Sequence, residues 1–152
     1  MILRSSDPSP FGRKVKIVAK ILGIYDQLTI ELANTNDPAD SLRAQNPLGK
    51  IPILILDDGR KIFDSRVICE YLDAQVDGVT LHPTEGDARW EALTLQALGD
   101  GIVDAAILQV YENRMRPEEK RHADWLSYQS DKVKRALDQL EASPPSLAGD
   151  LT

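Results

Sequence analysis

The chain has 152 residues, 42% of them hydrophobic and 28% charged, a balance that fits a soluble globular core, or a small domain with a helical partner, and not a disordered polymer. Its net charge of −6 excludes the phosphate-neutralising surface of a nucleic-acid binder. No apolar run approaches the ~20 residues that span a bilayer, and Met1-Ile-Leu-Arg-Ser-Ser-Asp lacks the basic-then-apolar order of a signal peptide.

In chain order, Ile2 to Ser5 predicts a short buried strand. Ser9-Pro10-Phe11 reads as a helix start, with Ser at the N-cap and Pro at the first helical position. Phe11, Val15, Val18 and Leu22 recur at helical spacing, and Gly23 closes the helix. Leu28, Ile30 and Leu32 alternate with polar residues, giving a second strand, parallel to the first by a right-handed crossover. Residues 34–46 are rich in Asn, Asp, Ser and Ala and predict an irregular loop with one weak helix.

Ile51-Pro52-Ile53-Leu54-Ile55-Leu56 is the next apolar run, and Asp57-Asp58-Gly59-Arg60 turns it back into Lys61-Ile62-Phe63. Asp64 or Ser65 caps a helix with Val67, Ile68, Tyr71 and Leu72 as its apolar stripe. Residues 75–86 read as a linker broken by Gly78, Pro83 and Gly86. Residues 88–115 are apolar around much of the circumference and predict a long buried helix. Pro117-Glu118-Glu119 opens another, with Trp125, Leu126, Val133, Leu137 and Leu140 facing the core, and Ser143-Pro144-Pro145 stops it. The lone Cys69 allows neither an internal disulfide nor a dithiol centre and fits a reducing cytoplasm; as a small buried hydrophobe it packs. His82 and His122 lack neighbours at ligand spacing, so no metal site is expected, and both read as surface residues.

The β-α-β, loop, β-β-α order with a proline opening the third strand looks like the thioredoxin fold. Serine at position 9, where that fold's glutaredoxins place a reactive cysteine, excludes a dithiol reductase. Ser9-Pro10-Phe11 with Arg13-Lys14-Val15, then Asn46-Pro47-Leu48-Gly49-Lys50-Ile51-Pro52, then Phe63-Asp64-Ser65-Arg66-Val67-Ile68 with Glu70-Tyr71-Leu72 together resemble a cytosolic glutathione S-transferase of the bacterial, serine type. Leu81-His82-Pro83 and the long helices after it resemble the family's linker and all-helical domain. The resemblance implies a thioredoxin-like domain over residues 1–76, a linker over 77–86 and a helical domain over 87–152. That domain is incomplete, because family members continue past the place where Leu151-Thr152, with Thr152 as an N-cap, looks like a further helix entry.

What the resemblance implies for chemistry is residue-specific. Ser9 is the catalytic hydroxyl that activates the thiol of bound glutathione, with Ser5 and Ser6 as competitors and a plain helix cap as the alternative. Pro52 is a cis proline that turns the N–H and C=O of Ile51 toward an extended peptide; otherwise it merely begins a strand. Ser65 and the helix N–H groups hold the γ-glutamyl carboxylate and Asp64 its ammonium, or the two only cap. Lys50 pairs with a tripeptide carboxylate or stays solvated. Asp100 reaches a neighbouring subunit's glutathione or is a solvated helix residue. Glutathione is then the co-substrate, a hydrophobic electrophile the second substrate, and the assembly a homodimer, with neither membrane nor nucleic acid as partner. The rival readings are a non-catalytic transferase-like assembly module and a glutathione-dependent peroxidase or thiol transferase.

Overall fold

The computed structural model describes residues 1–78 and 81–145; the expected helix entry at Leu151-Thr152 lies outside them. The chain divides into a unit from Met1 to Pro83 and a second that begins at Thr84.

The first unit is built on a four-stranded sheet of order β2-β1-β3-β4. β1 (Ile2–Ser5) pairs parallel with β2 (Thr29–Leu32) and antiparallel with β3 (Ile53–Ile55), which pairs antiparallel with β4 (Lys61–Ile62). Side chains alternate across a strand, so β1 sends Leu3 and Ser5 to one face and Ile2 and Arg4 to the other. On Leu3's face lie α1 (Pro10–Ile21) and α3 (Ser65–Asp73), and Val15, Ala19, Leu54, Ile68, Cys69 and Leu72 close a core with no exposed surface. Each fully buried Leu or Ile there contributes about 1.5–3 kcal/mol. The opposite face carries a smaller cluster, Ala33, Leu42 and Ile53, under the one-turn helix α2 (Leu42–Gln45).

The ends of α1 follow from the residues that bound it. Ser9 accepts the N–H of Gly12 and Pro10 occupies the first turn. Gly23 takes φ +69°, and the N–H groups of Gly23 and Ile24 return to Lys20 and Ala19, the double closure that a left-handed residue permits. Gly12 is required for a different reason: a β-carbon there would run into the buried hydroxyl of Ser5. The Ile51–Pro52 peptide bond is cis, as is Phe63–Asp64.

Asp73, the last residue of α3, is buried, and its carboxylate accepts the N–H groups of Leu81 and His82, both at 2.8 Å. His82 Nδ1 lies 3.5 Å from the same carboxylate and the ring is largely covered. The surface position expected of His82 is therefore wrong; His122 is exposed.

The second unit pairs α4 (Gly86–Met115) with α5 (Ala123–Ala142). Four sequence expectations fail in it. The long helix forms but is not buried: Trp90, Leu95, Leu108, Val110, Tyr111 and Met115 are exposed, because α5 shields only one strip of its circumference. On length and composition α4 is apolar enough to cross a bilayer, contrary to the run-length reading, although Asp100 and Asp104 sit within it. α5 does not start at Pro117, where a short 3-10 turn (Glu118–Lys120) forms instead. The helix starts after His122, whose Nδ1 accepts the N–H of Trp125. Buried Glu112 fixes that corner by accepting the N–H of His122 at 3.0 Å and pairing with Arg116 at 3.2 Å. Leu126, Val133 and Leu140 are half-buried on α5, whereas Trp125 and Leu137, expected with them, are exposed and Gln129 takes the most buried place.

Candidate functional site

Strand register brings the candidate residues of the first unit to one end of the sheet. Arg4 lies opposite Ile53, so β3 begins where β1 finishes. Leu54 lies opposite Ile62, so β4 finishes at that same end. Ile51-Pro52 enters β3 there, Phe63-Asp64 leaves β4 there, and α1 follows β1 through Ser9. The helices α1 and α3 consequently start from a common edge, each carrying the partial positive charge of its unpaired N–H groups.

Ser9 is half-buried in extended backbone, and its Oγ accepts from Gly12 N–H at 3.1 Å. That bond uses the oxygen's lone pair and leaves its hydrogen available to an incoming anion. Capping and catalysis are thus compatible at this hydroxyl. Ser5 is wholly buried behind Gly12 and its hydroxyl points at Ser6 C=O, 3.4 Å away, which removes it as a competitor; Ser6 is half-buried.

Ile51 lies outside the ladder, and neither its N–H nor its C=O has a partner among the described residues. The loop that delivers it is held by Asn46, only 2% exposed, a residue whose structural weight the composition of that loop concealed. Its Oδ1 accepts Leu48 N–H at 3.0 Å and its Nδ2 donates to Lys50 C=O at 2.9 Å. The Lys50 side chain is exposed, with no ion pair among the described residues.

Asp64 caps α3, its Oδ1 accepting Arg66 N–H at 3.0 Å, and its side chain is exposed. Ser65 follows as the first helical residue, 2% exposed, and its N–H and hydroxyl have no partner among the described residues. Asp100 belongs to α4 in the second unit; it is buried at 3% exposure, which overturns the solvated alternative. Among the described residues no group of three or more His, Cys, Asp or Glu side chains is placed to hold a metal.

Known proteins match this arrangement. The family described as "Glutathione S-transferase, N-terminal domain" matches residues 8–75. The "Uncharacterized GST-like protein YibF" of Escherichia coli (strain K12) is 35% identical over 93% of this chain and 68% of its own length. The chain belongs to the glutathione S-transferase family. A glutathione transferase family member from Pseudomonas fluorescens Pf-5, solved with bound glutathione, is 43% identical with a TM-score of 0.88, over 93% of this chain and 70% of that one. A glutathione S-transferase from Methylobacillus flagellatus KT, also solved with glutathione bound, is 39% identical with a TM-score of 0.87, over 93% and 68%. The chain therefore spans a little over two thirds of these three relatives. The thioredoxin-like sheet followed by helices is the fold that the sequence motifs implied.

Proposed function

We propose that the first unit binds glutathione across the sheet end and that Ser9 stabilises its thiolate for attack on an electrophilic carbon. The observation that carries this reading is the set of unused hydrogen-bonding groups at one edge: Ile51 N–H and C=O, Ser65 N–H and hydroxyl, and the hydroxyl hydrogen of Ser9. Buried polar groups are almost always paired, so such a set marks a surface shaped for a polar, extended ligand. The charges fit as well. Two helix N-termini and Lys50 suit the two carboxylates of the tripeptide, and the second oxygen of Asp64 suits its ammonium. Extended peptides pair with an exposed backbone edge in the way Ile51 offers.

In the reaction the bound thiol releases its proton to solvent, and the sulfur lone pair forms the new bond to carbon as that carbon's leaving group departs. The chain acts as a homodimer in this reading, supported by the exposed apolar residues of α4, and Asp100 reaches the partner's tripeptide. Cys69, buried and outside any disulfide, fits a reducing cytoplasm. Calorimetric titration with glutathione beside a chromogenic-electrophile assay tests the proposal. Binding with turnover supports it, binding without turnover favours an assembly module, and no binding at millimolar glutathione refutes it. Turnover of a hydroperoxide or mixed disulfide in place of the electrophile identifies a peroxidase or thiol transferase.

A further inference from the structure

Arg4 occupies the middle of β1, an interior strand of the sheet, at 7% exposure. Ala33, Leu42 and Ile53 form the apolar cluster of that face, and Glu31, opposite Arg4 on β2, brings a half-exposed carboxylate to 4.0 Å from its Nη1. Stability does not account for a charge in such a place, since well-packed apolar residues commonly do as well as a buried ion pair or better. Even here the guanidinium is incompletely satisfied, with its Nε buried and unpartnered. What Arg4 does hold is the start of α2. Its Nη2 donates to Asp40 Oδ1 at 2.7 Å and its Nη1 to Ser41 Oγ at 3.1 Å. Asp40 in turn accepts the N–H groups of Asn34 and Leu42, each at 2.8 Å, and so closes the loop that leaves β2.

From this anchor the chain runs through Leu42, fully buried, to Asn46, whose side chain grips Leu48 N–H and Lys50 C=O. The next residue is Ile51. We infer that the Arg4–Asp40 pair is a positioning device for the glutathione site, setting the loop of residues 34–50 on the sheet so that Ile51 presents its N–H and C=O to the tripeptide. This inference rests on the reading given above. Its physical basis is the narrow geometry of hydrogen bonding, which weakens steeply once donor and acceptor leave ~2.7–3.2 Å or good alignment. A loop with one loose anchor still folds but offers Ile51 over a range of positions.

The test compares glutathione titrations of the wild-type chain with Arg4→Met, Arg4→Lys, Asp40→Ala and the Arg4→Met/Asp40→Ala double variant. Ile24→Ala, which weakens the core on the opposite face, serves as the control. At temperatures well below its thermal midpoint, Arg4→Met is expected to bind glutathione about tenfold more weakly, with the double variant no worse than the weaker single because both break one device. The pH titration of the bound thiol and kcat stay unchanged while KM rises, since Ser9 is untouched, and Arg4→Lys recovers part of the affinity. Affinities of Arg4→Met and Asp40→Ala within twofold of wild type, or an equal loss in Ile24→Ala, overturn the inference. If the wild-type chain does not bind glutathione at all, the functional reading fails on its own, and amide exchange still decides the anchor. Exchange should quicken over residues 34–51 in Arg4→Met and not in α1, and equal exchange throughout refutes it.

Discussion

Replacing Ser9 by alanine removes two things at once, and their magnitudes can be separated. The lost bond to Gly12 N–H is an N-cap, and its removal costs about 0.5–2 kcal/mol of stability. In the proposed reaction the lost hydroxyl hydrogen is the one that acts on the thiol. A free cysteine-type thiol has a pKa of about 8.5, and lowering it by about two units takes roughly 2.7 kcal/mol of preference for the anion. A hydroxyl bonded to the charged sulfur supplies about 1.5–3 kcal/mol, and the N-terminus of α1 adds about 0.3–1 kcal/mol. The hydroxyl is therefore the larger contribution. Ser9→Ala should leave glutathione affinity within a few-fold, because Ile51, Asp64 and Ser65 remain, and raise the bound thiol pKa by about one unit or more. Conjugation at pH 7 should fall about tenfold or more. Ser9→Asp separates the two roles: aspartate caps as well as serine, so stability is kept, but a carboxylate beside the sulfur should raise the thiol pKa further. The assay is thiolate absorbance of the bound tripeptide against pH, with chemical denaturation run in parallel. A thiol titration identical in wild type and Ser9→Ala, together with the expected stability loss, would show that Ser9 only caps the helix.

Gly12→Ala should destabilise the first unit by about 1–3 kcal/mol through overpacking against Ser5, and Ser5→Gly should relieve much of it in denaturant titrations; full stability in Gly12→Ala alone contradicts the packing. Asp73→Ala leaves the amides of Leu81 and His82 without their acceptor, a cost of about 1–3 kcal/mol for each group left unsatisfied, measurable as a lower denaturation midpoint. The N–H of Asn34, then that of Leu42 and the charge of Arg4, hold the Asp40 carboxyl below its ordinary range, against the opposing effect of burial. A carboxyl lowered in the folded state contributes stability above its unfolded pKa of about 3.9 and loses that contribution as pH falls toward the folded value. Stability should therefore decline more steeply below about pH 4 in wild type than in Asp40→Asn, and identical acid profiles contradict this.

The parts of the fold written in short-range patterns were readable from the sequence. Ser9-Pro10 announces a helix start and Gly23 a stop, and both act as their local chemistry requires. The cis bond at Pro52 followed from strand order and family resemblance together. The parts that failed depend on partners distant in the chain. Arg4 gives no local sign that Asp40, thirty-six residues on, will receive it. Asn46 reads as one more polar loop residue until its side chain is seen bridging Leu48 and Lys50. His82 looked exposed because Asp73, which holds its backbone, belongs to the preceding helix. The apolar circumference of α4 records how much surface that helix could bury, whereas its exposure depends on which elements pack against it, and α5 covers one strip. α5 starts late because Glu112 fixes His122 from another helix, overriding the acids after Pro117.

Every residue proposed to touch the tripeptide within its own chain lies before Arg66, inside a unit that closes at Pro83 with a core on each face of its sheet. Order of synthesis then matters. At roughly 5–20 residues per second, a newborn chain has its whole binding edge several seconds before the last turn of α5 is made. The edge can be folded, and the proposed tripeptide seated, while the helical unit is still being translated, so lesions in α4 or α5 need not reach the nascent edge at all.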